Sequence, residues 1–252
     1  MKVKTWLIAS CLSLCLLAQP AVAGQFEDGQ TAYDRGEYAT ALQLWQPLAD
    51  QGVAQAQFNV GEIYLDGKGV PTNETEGLKW LQFAAEQGYA EAQNTLGNLH
   101  INGQEIGLAV PKDYAEALKW YRLAAEQGDA GGQNNLGYMY DTGQGVPQDY
   151  VEAVKWYSLA ADQGNAEAQS NLGVMYRDGK GVPQDYVQAH MWFDLASVAD
   201  PAPDNLIEPD DLIDWGENSK KYRDSIAAKM TRAQIAEAQR LARAWLAVHP
   251  RK

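Results

Sequence analysis

The sequence predicts an all-α fold, a right-handed α-solenoid of helix–turn–helix repeats with a C-terminal capping helix, and three observations carry that expectation. The phrase Asn-Leu-Gly-x-Met-Tyr-x-x-Gly-x-Gly-Val-Pro-Gln-Asp-Tyr-Val starts at Asn135 and again at Asn171, 36 residues later, with looser copies from Asn59 and Thr95. A fixed period of about 20–50 residues marks stacked supersecondary units, none of which buries its apolar face alone. Within a copy, apolar residues recur at helical spacing on both sides of a Gly-x-Gly break, so each copy reads as two helices and a turn. Landmarks hold the same register: glycine at Gly61, Gly97, Gly137 and Gly173, and tryptophan at Trp80, Trp120, Trp156 and Trp192.

Residues 1–23 read as a secretory signal peptide. Lys2 and Lys4 give a basic start, and the apolar run from Trp6 to Ala18 is too short to span a bilayer. Ala21-Val22-Ala23 is a small-x-small site that places cleavage after Ala23, with the periplasm or the exterior as destination. Both cysteines, Cys11 and Cys15, lie in this stretch. Lipidation at Cys11 is disfavoured, because few apolar residues separate it from Lys4. The mature chain then holds no cysteine, which excludes disulfides, a thiol nucleophile and thiolate metal ligands.

An opening hairpin at 24–52 has the shorter turn Tyr33-Asp34-Arg35-Gly36-Glu37-Tyr38 and reads as an N-terminal cap. Four repeats fill 53–199, as 53–88, 89–128, 129–164 and 165–199. In the last of them Ala166, Ala168, Leu172, Gly173 and Tyr176 share one face of the first helix, and Asp178-Gly179-Lys180-Gly181 ends it with C-cap glycines. Asp185 is the expected N-cap of the second helix, whose stripe is Ala189, Trp192, Phe193 and Ala196. Gln-Gly pairs at 51–52, 87–88, 127–128 and 163–164 close the second helices. The glycine spacing stretches to 40 between Gly97 and Gly137, because the turn at 103–110 holds four residues more than the one at 143–146.

Segment 200–217, with three prolines and Glu208, Asp210, Asp211 and Asp214, reads as an acidic loop averse to helix. The final stretch, 218–252, is the expected helical cap. There Thr231-x-x-Gln234 is a capping-box signature ahead of Ile235, Ala238, Leu241, Ala242, Trp245 and Leu246.

The shared pattern Ala-x-x-Asn-Leu-Gly-x-x-Tyr-x-x-Gly-x-Gly-Val-Pro-x-Asp-Tyr-x-x-Ala-x-x-Trp-Tyr-x-x-Ala-Ala-x-Gln-Gly resembles the Sel-one-like repeat, a relative of the tetratricopeptide repeat, over residues 54–198. Repeat one departs at Thr72-Asn73-Glu74, which lacks the Asp-Tyr pair, and repeat two has His100 where tyrosine is usual. The resemblance implies a groove lined by first-helix residues around the repeat glycine. Mapped here, those positions hold Asn59, Glu62, Asn94, Thr95, Asn98, Asn134, Asn135, Tyr138, Asp141, Asn171 and Arg177. The candidate partner-binding residues among them are Asn94, Asn98, Asn134, Tyr138, Asp141 and Arg177. Asparagine amides pair with both the donor and the acceptor of an extended peptide backbone. Bonding within or between repeats, especially by Asn59, Asn135 and Asn171, stands as the alternative.

A net charge of −13, or −15 once Lys2 and Lys4 leave with the leader, argues against nucleic acid and against an anionic membrane surface. The expected partner is another protein or peptide in the cell envelope, neutral or basic, held by a monomer. His100, His190 and His249 have no serine or acid at a catalytic spacing. The acidic segment lacks the ligand spacing of a calcium loop, and no strand precedes the glycine-rich turns, so neither a metal nor a cofactor is expected. The expected function is an exported, non-enzymatic protein–protein interaction scaffold. One alternative is an envelope enzyme of the penicillin-binding or β-lactamase type, an activity linked to some disulfide-rich members of the family it resembles. This chain has neither their paired cysteines nor a Ser-x-x-Lys in its mature part. A purely architectural spacer is the other alternative.

Overall fold

The computed structural model describes residues 23–104, 107–198 and 215–249. The expected leader up to residue 22, residues 105–106 of the insertion and 199–214 of the acidic segment therefore lie outside the described residues. All regular structure within them is helical: α1 at 23–34, α2 Tyr38–Asp50, α3 Ala54–Asp66, α4 Glu74–Glu86, α5 Ala90–Asn102, α6 Tyr114–Glu126, α7 Ala130–Thr142, α8 Tyr150–Asp162, α9 Ala166–Asp178, α10 Tyr186–Ser197, α11 Trp215–Ala227 and α12 Arg232–Val248. The expected all-α array of helix–turn–helix repeats is the fold observed. It divides into two compact units, one ending at Ala92 and the other starting at Gln93.

Each repeat is closed by the same short circuit. The backbone N–H of the residue capping the second helix returns to a carbonyl on the first helix: Asn73 to Tyr64, Asp113 to His100, Asp149 to Tyr140 and Asp185 to Tyr176, all at 2.8–2.9 Å. His100 thus offers the same backbone carbonyl as the tyrosines of the other repeats. Asp113, Asp149 and Asp185 each accept two N–H groups from the first turn of the helix they cap. Asn73 accepts one, from Glu76, so repeat one keeps its cap with a single bond. Such caps are worth about 1 kcal/mol each. Before them, α7 and α9 end on Gly143 and Gly179, at φ 73° and 68°, in the left-handed conformation that glycine adopts without strain.

In unit one, Trp45 is 1% exposed between α1 and α2, and its indole N–H donates to the Phe26 carbonyl at 3.1 Å. Phe26 and Tyr33 lie against the same ring. Phe58 of α3 meets Tyr89 at 5.3 Å between ring centroids.

In unit two the most enclosed aromatics are Tyr157 and Phe193, each 0% exposed, rather than the landmark tryptophans that precede them. Each lies across the repeat glycine of its own first helix. A Cβ on Gly137 would come within 2.8 Å of the Tyr157 ring, and one on Gly173 within 2.7 Å of Phe193. The glycine is there to admit the ring.

A glutamine relay that sequence reasoning missed ties second helices to first helices. Gln163 Nε2 donates to Gln133 Oε1 at 2.8 Å, and Gln133 Nε2 donates to the Ala125 carbonyl at 3.2 Å. Gln127 donates to Gln93 at 2.7 Å in the same way, as Gln87 does to Gln57 in unit one at 2.6 Å. Gln87, Gln127 and Gln163 thus each satisfy a buried amide as well as ending a helix, whereas Gln51, among the described residues, reaches only the Pro47 carbonyl of its own helix. In repeat four the position corresponding to Gln163 is Ala199, and the buried Gln169 Oε1 has no partner among the described residues.

The described residues of the tail form two helices, and α11 begins at Trp215, inside the segment read as loop. Both pack on α10, and α11 also reaches α9. The expected capping box at Thr231 and Gln234 is present, with Ala238 and Ala242 buried. Trp245 meets Trp192 edge-on at 6.3 Å.

Candidate partner-binding face

Around each repeat glycine of unit two, the first helices α5, α7 and α9 place matching residues in register. Asn94, Asn134 and Ser170 lie three before it, and Thr95, Asn135 and Asn171 two before. Asn98, Tyr138 and Val174 follow it directly, and Ile101, Asp141 and Arg177 lie four after. On a helix such positions share a face.

The asparagines bond to one another. Asn135 Nδ2 donates to Asn94 Oδ1 at 2.9 Å and to Asn98 Oδ1 at 3.0 Å, and the Tyr121 hydroxyl donates to the same Asn98 oxygen at 2.8 Å. One repeat on, Asn171 Nδ2 donates to Asn134 Oδ1 at 3.2 Å, while Asn134 Nδ2 approaches Asn135 Oδ1 at 3.4 Å. The series continues into the tail, where Ser219 of α11 donates to Ser170 at 3.0 Å. For Asn135 and Asn171, bonding between repeats is what the structure shows.

This sorts the six candidate residues. Asn134 is 1% exposed and fixes α7 against α9 from inside. Asn94 and Asn98 are half-buried, with their Oδ1 atoms engaged in the ladder. Arg177 grips Asp178 through Nε at 2.7 Å and Nη2 at 2.9 Å, and its guanidinium lies over the Tyr222 ring of α11 at 5.1 Å. That grip raises the guanidinium further and lowers the Asp178 carboxyl. Tyr138 is 44% exposed, and Asp141 lies half-buried on the same helix face.

Electrostatics single out repeat three. Burial raises the Asp141 carboxyl against the opposing pull of Lys180 and the Tyr157 hydroxyl. Burial and then the Asp141 charge raise the Tyr157 phenol, with smaller contributions from Glu167 and Tyr138. The Tyr157 oxygen is buried without a well-formed hydrogen bond. Register supplies the reason. Tyr121 finds its acceptor in Asn98, but repeat three has Tyr138 at that position, which leaves Asp141 as the nearest match for the Tyr157 hydroxyl among the described residues. In unit one the matching position is Glu62, pushed up to about 8 by burial and then by Asp66.

Elsewhere, His190 is 3% exposed and lowered by desolvation, and His249 stacks on Trp245 at 4.2 Å. Among the described residues no group of three histidine, cysteine or acidic side chains is placed to hold a metal, and no helix is long and apolar enough to cross a membrane. Two features of this face escaped sequence reasoning: the enclosed aromatic ring behind each repeat glycine of unit two, and the docking of α11. The first had a signal, since an aromatic follows the landmark tryptophan at Tyr121, Tyr157 and Phe193.

Comparison with known proteins places this geometry. The Sel1 repeat matches residues 54–89, 90–129, 130–165 and 166–197. A Sel1 repeat protein from Oxalobacter formigenes is 32% identical, with 92% of this chain and 86% of that one covered and a TM-score of 0.67. A protective antigen present in uropathogenic Escherichia coli strains, which displays an SLR fold, is 29% identical over 90% of this chain, with a TM-score of 0.53. The chain spans about half of that antigen's length, 53%. PA5086 of Pseudomonas aeruginosa, 17% identical with 83% of each chain covered and a TM-score of 0.50, shares the fold alone. No curated protein matches the sequence.

Proposed function

Because the chain belongs to the Sel1 repeat family, we propose that it is an exported protein–protein interaction scaffold that holds a segment of its partner on the first-helix face of unit two. The observation that carries this reading is Tyr138, a large aromatic 44% exposed on a face whose neighbouring polar groups are already bonded to one another. Aromatic anchors dominate interface energetics, and a surface fixed before binding loses little entropy when it binds. The acidic balance of the chain favours a neutral or basic segment. Export rests on the leader pattern of residues 1–23 and on the lack of cysteine after it. That a relative in uropathogenic Escherichia coli is a protective antigen supports a role outside the cytoplasm.

Site-specific photo-cross-linking tests the proposal. A photoreactive residue at Tyr138 should capture a discrete envelope protein, whereas one at Leu159, exposed on second helix α8, should not. Equal capture at both positions, or none at either, rejects the face.

A further inference from the structure

We propose that the partner presents a lysine or arginine side chain to Tyr138 and Asp141, its cation lying against the ring and paired with the carboxylate. The inference rests on the reading of this face as the partner-binding one, and it names the chemistry that the face selects.

Repeat four shows the arrangement completed from within the chain. At the position matching Asp141 stands Arg177, whose guanidinium meets the Asp178 carboxylate at 2.7 Å and the Tyr222 ring at 5.1 Å. Cation, ring and carboxylate are all present. Repeat three supplies a ring, Tyr138, and a carboxylate, Asp141, three residues apart on α7 and so adjacent on one face. Lys180 acts on Asp141 but lies over the Tyr150 ring, so among the described residues the missing component is a cation on the Tyr138 ring itself.

A second observation marks the same place. The hydroxyl of Tyr157, a residue 0% exposed, has no well-formed hydrogen bond, and the groups it acts on are Asp141, Glu167 and Tyr138. The flanking repeats resolve this balance. Repeat two bonds Tyr121 to Asn98 at 2.8 Å, and repeat four places Phe193, with no hydroxyl, behind Val174. A buried hydroxyl left without a well-formed bond where the flanking repeats avoid one is a departure from the local rule of the kind that marks a functional position. Pairing Asp141 with a partner's cation holds it ionised, which strengthens it as acceptor for the Tyr157 hydroxyl.

The charges nearby agree. Asp178 is committed to Arg177, and Lys180, the cation acting on Asp141, lies over the Tyr150 ring at 5.3 Å. Glu167 adds a further negative charge. An acidic side chain is repelled here, and a neutral one leaves half-buried Asp141 with Lys180 alone to oppose its desolvation.

Titrating the 15N-labelled protein with N-acetyl-lysine amide and N-acetyl-arginine amide, followed by amide chemical shifts, tests the site. Saturable shifts should centre on Tyr138 and Asp141, and the Nε-acetylated lysine probe should produce none. Asp141→Asn should weaken the lysine probe by about threefold to tenfold, and Tyr138→Leu by about threefold, with helical circular dichroism unchanged. Because Tyr138 is exposed, its variant keeps the test valid should Asp141→Asn unfold. Equal shifts from the acetylated probe, or unchanged affinity in Tyr138→Leu, overturn the inference. Capture at Tyr138 of a partner whose contacting segment carries no lysine or arginine overturns it too, while leaving the scaffold reading intact. Lysine-amide binding with no capture at Tyr138 supports the pocket and rejects the scaffold.

Discussion

Ser219 donates its hydroxyl to Ser170 at 3.0 Å, and the two residues are 0% and 1% exposed. The pair stands where Asn171 meets Asn134 one repeat earlier, so α11 makes for α9 the contact that a further first helix would make. Arg223 fastens the same helix to Asp194 of α10 at 3.0 Å. Lys229 lies over Tyr186 at 5.8 Å as Lys180 lies over Tyr150. The array is closed by a helix of unrelated sequence that copies the repeat's contacts.

Ser219→Ala should therefore cost about 1 kcal/mol, and so should Ser170→Ala, since each strands one buried hydroxyl. The double variant should cost less than the two singles together, because it removes both halves of one bond. Urea denaturation of the four proteins checks this; additive losses would show that the bond contributes nothing.

Two tyrosines at matching positions should respond oppositely to loss of the hydroxyl. Tyr121→Phe removes a 2.8 Å bond to Asn98 and should cost about 1 kcal/mol. Tyr157→Phe removes a buried group without a well-formed bond and should be neutral or stabilising, as Phe193 already shows at the next position. Thermal unfolding of the pair decides it, and a larger loss for Tyr157→Phe would refute the assignment.

The glutamine relay makes a graded forecast. Gln133→Leu removes the bond to the Ala125 carbonyl and the bond from the Gln163 amide, groups that keep Gly128 as a partner, and should cost about 1–2 kcal/mol. Gln169 still donates to the Ala161 carbonyl at 3.2 Å, but its oxygen is unpartnered, so Gln169→Leu should cost less. Chemical denaturation curves of the two variants supply the comparison.

Glu62 gives the fold a pH dependence. Its carboxyl is raised to about 8 when folded, against 4.5 for an ordinary glutamate, so the folded state favours the protonated form. That contribution is complete below the unfolded value and is lost as pH rises through the folded one. Glu62→Gln mimics the protonated group. It should match wild type at about pH 4.5 and exceed it by about 2–4 kcal/mol above about pH 8. Melting temperatures across that range check the sign; a variant equally stable relative to wild type at both ends contradicts it.

The helix pairs, their caps and the turn glycines were legible because each depends on chemistry local in sequence: Asp185 caps the helix it precedes, and Gly179 ends the one it follows. The groove residues were legible as positions but not as contacts. Asn134 and Asn135 are neighbours in the chain, yet one is 1% exposed and the other bonds across to α5, and only packing separates those fates. Helix α11 was hidden because its buried face starts from a serine, Ser219, and its flanks carry Lys220, Lys221 and Arg223. These findings also narrow the choice of mutant. Asn98 and Arg177 hold ladder and tail contacts, so changing them alters the fold, whereas Tyr138 is exposed enough to change alone.

The most direct measurement is the affinity of the cross-linked partner, once purified, for wild-type protein and for Tyr138→Ala by isothermal titration calorimetry. A buried aromatic anchor predicts a loss of about tenfold or more with the melting temperature unchanged. Equal affinity of the two proteins would contradict the claim that this face holds the partner.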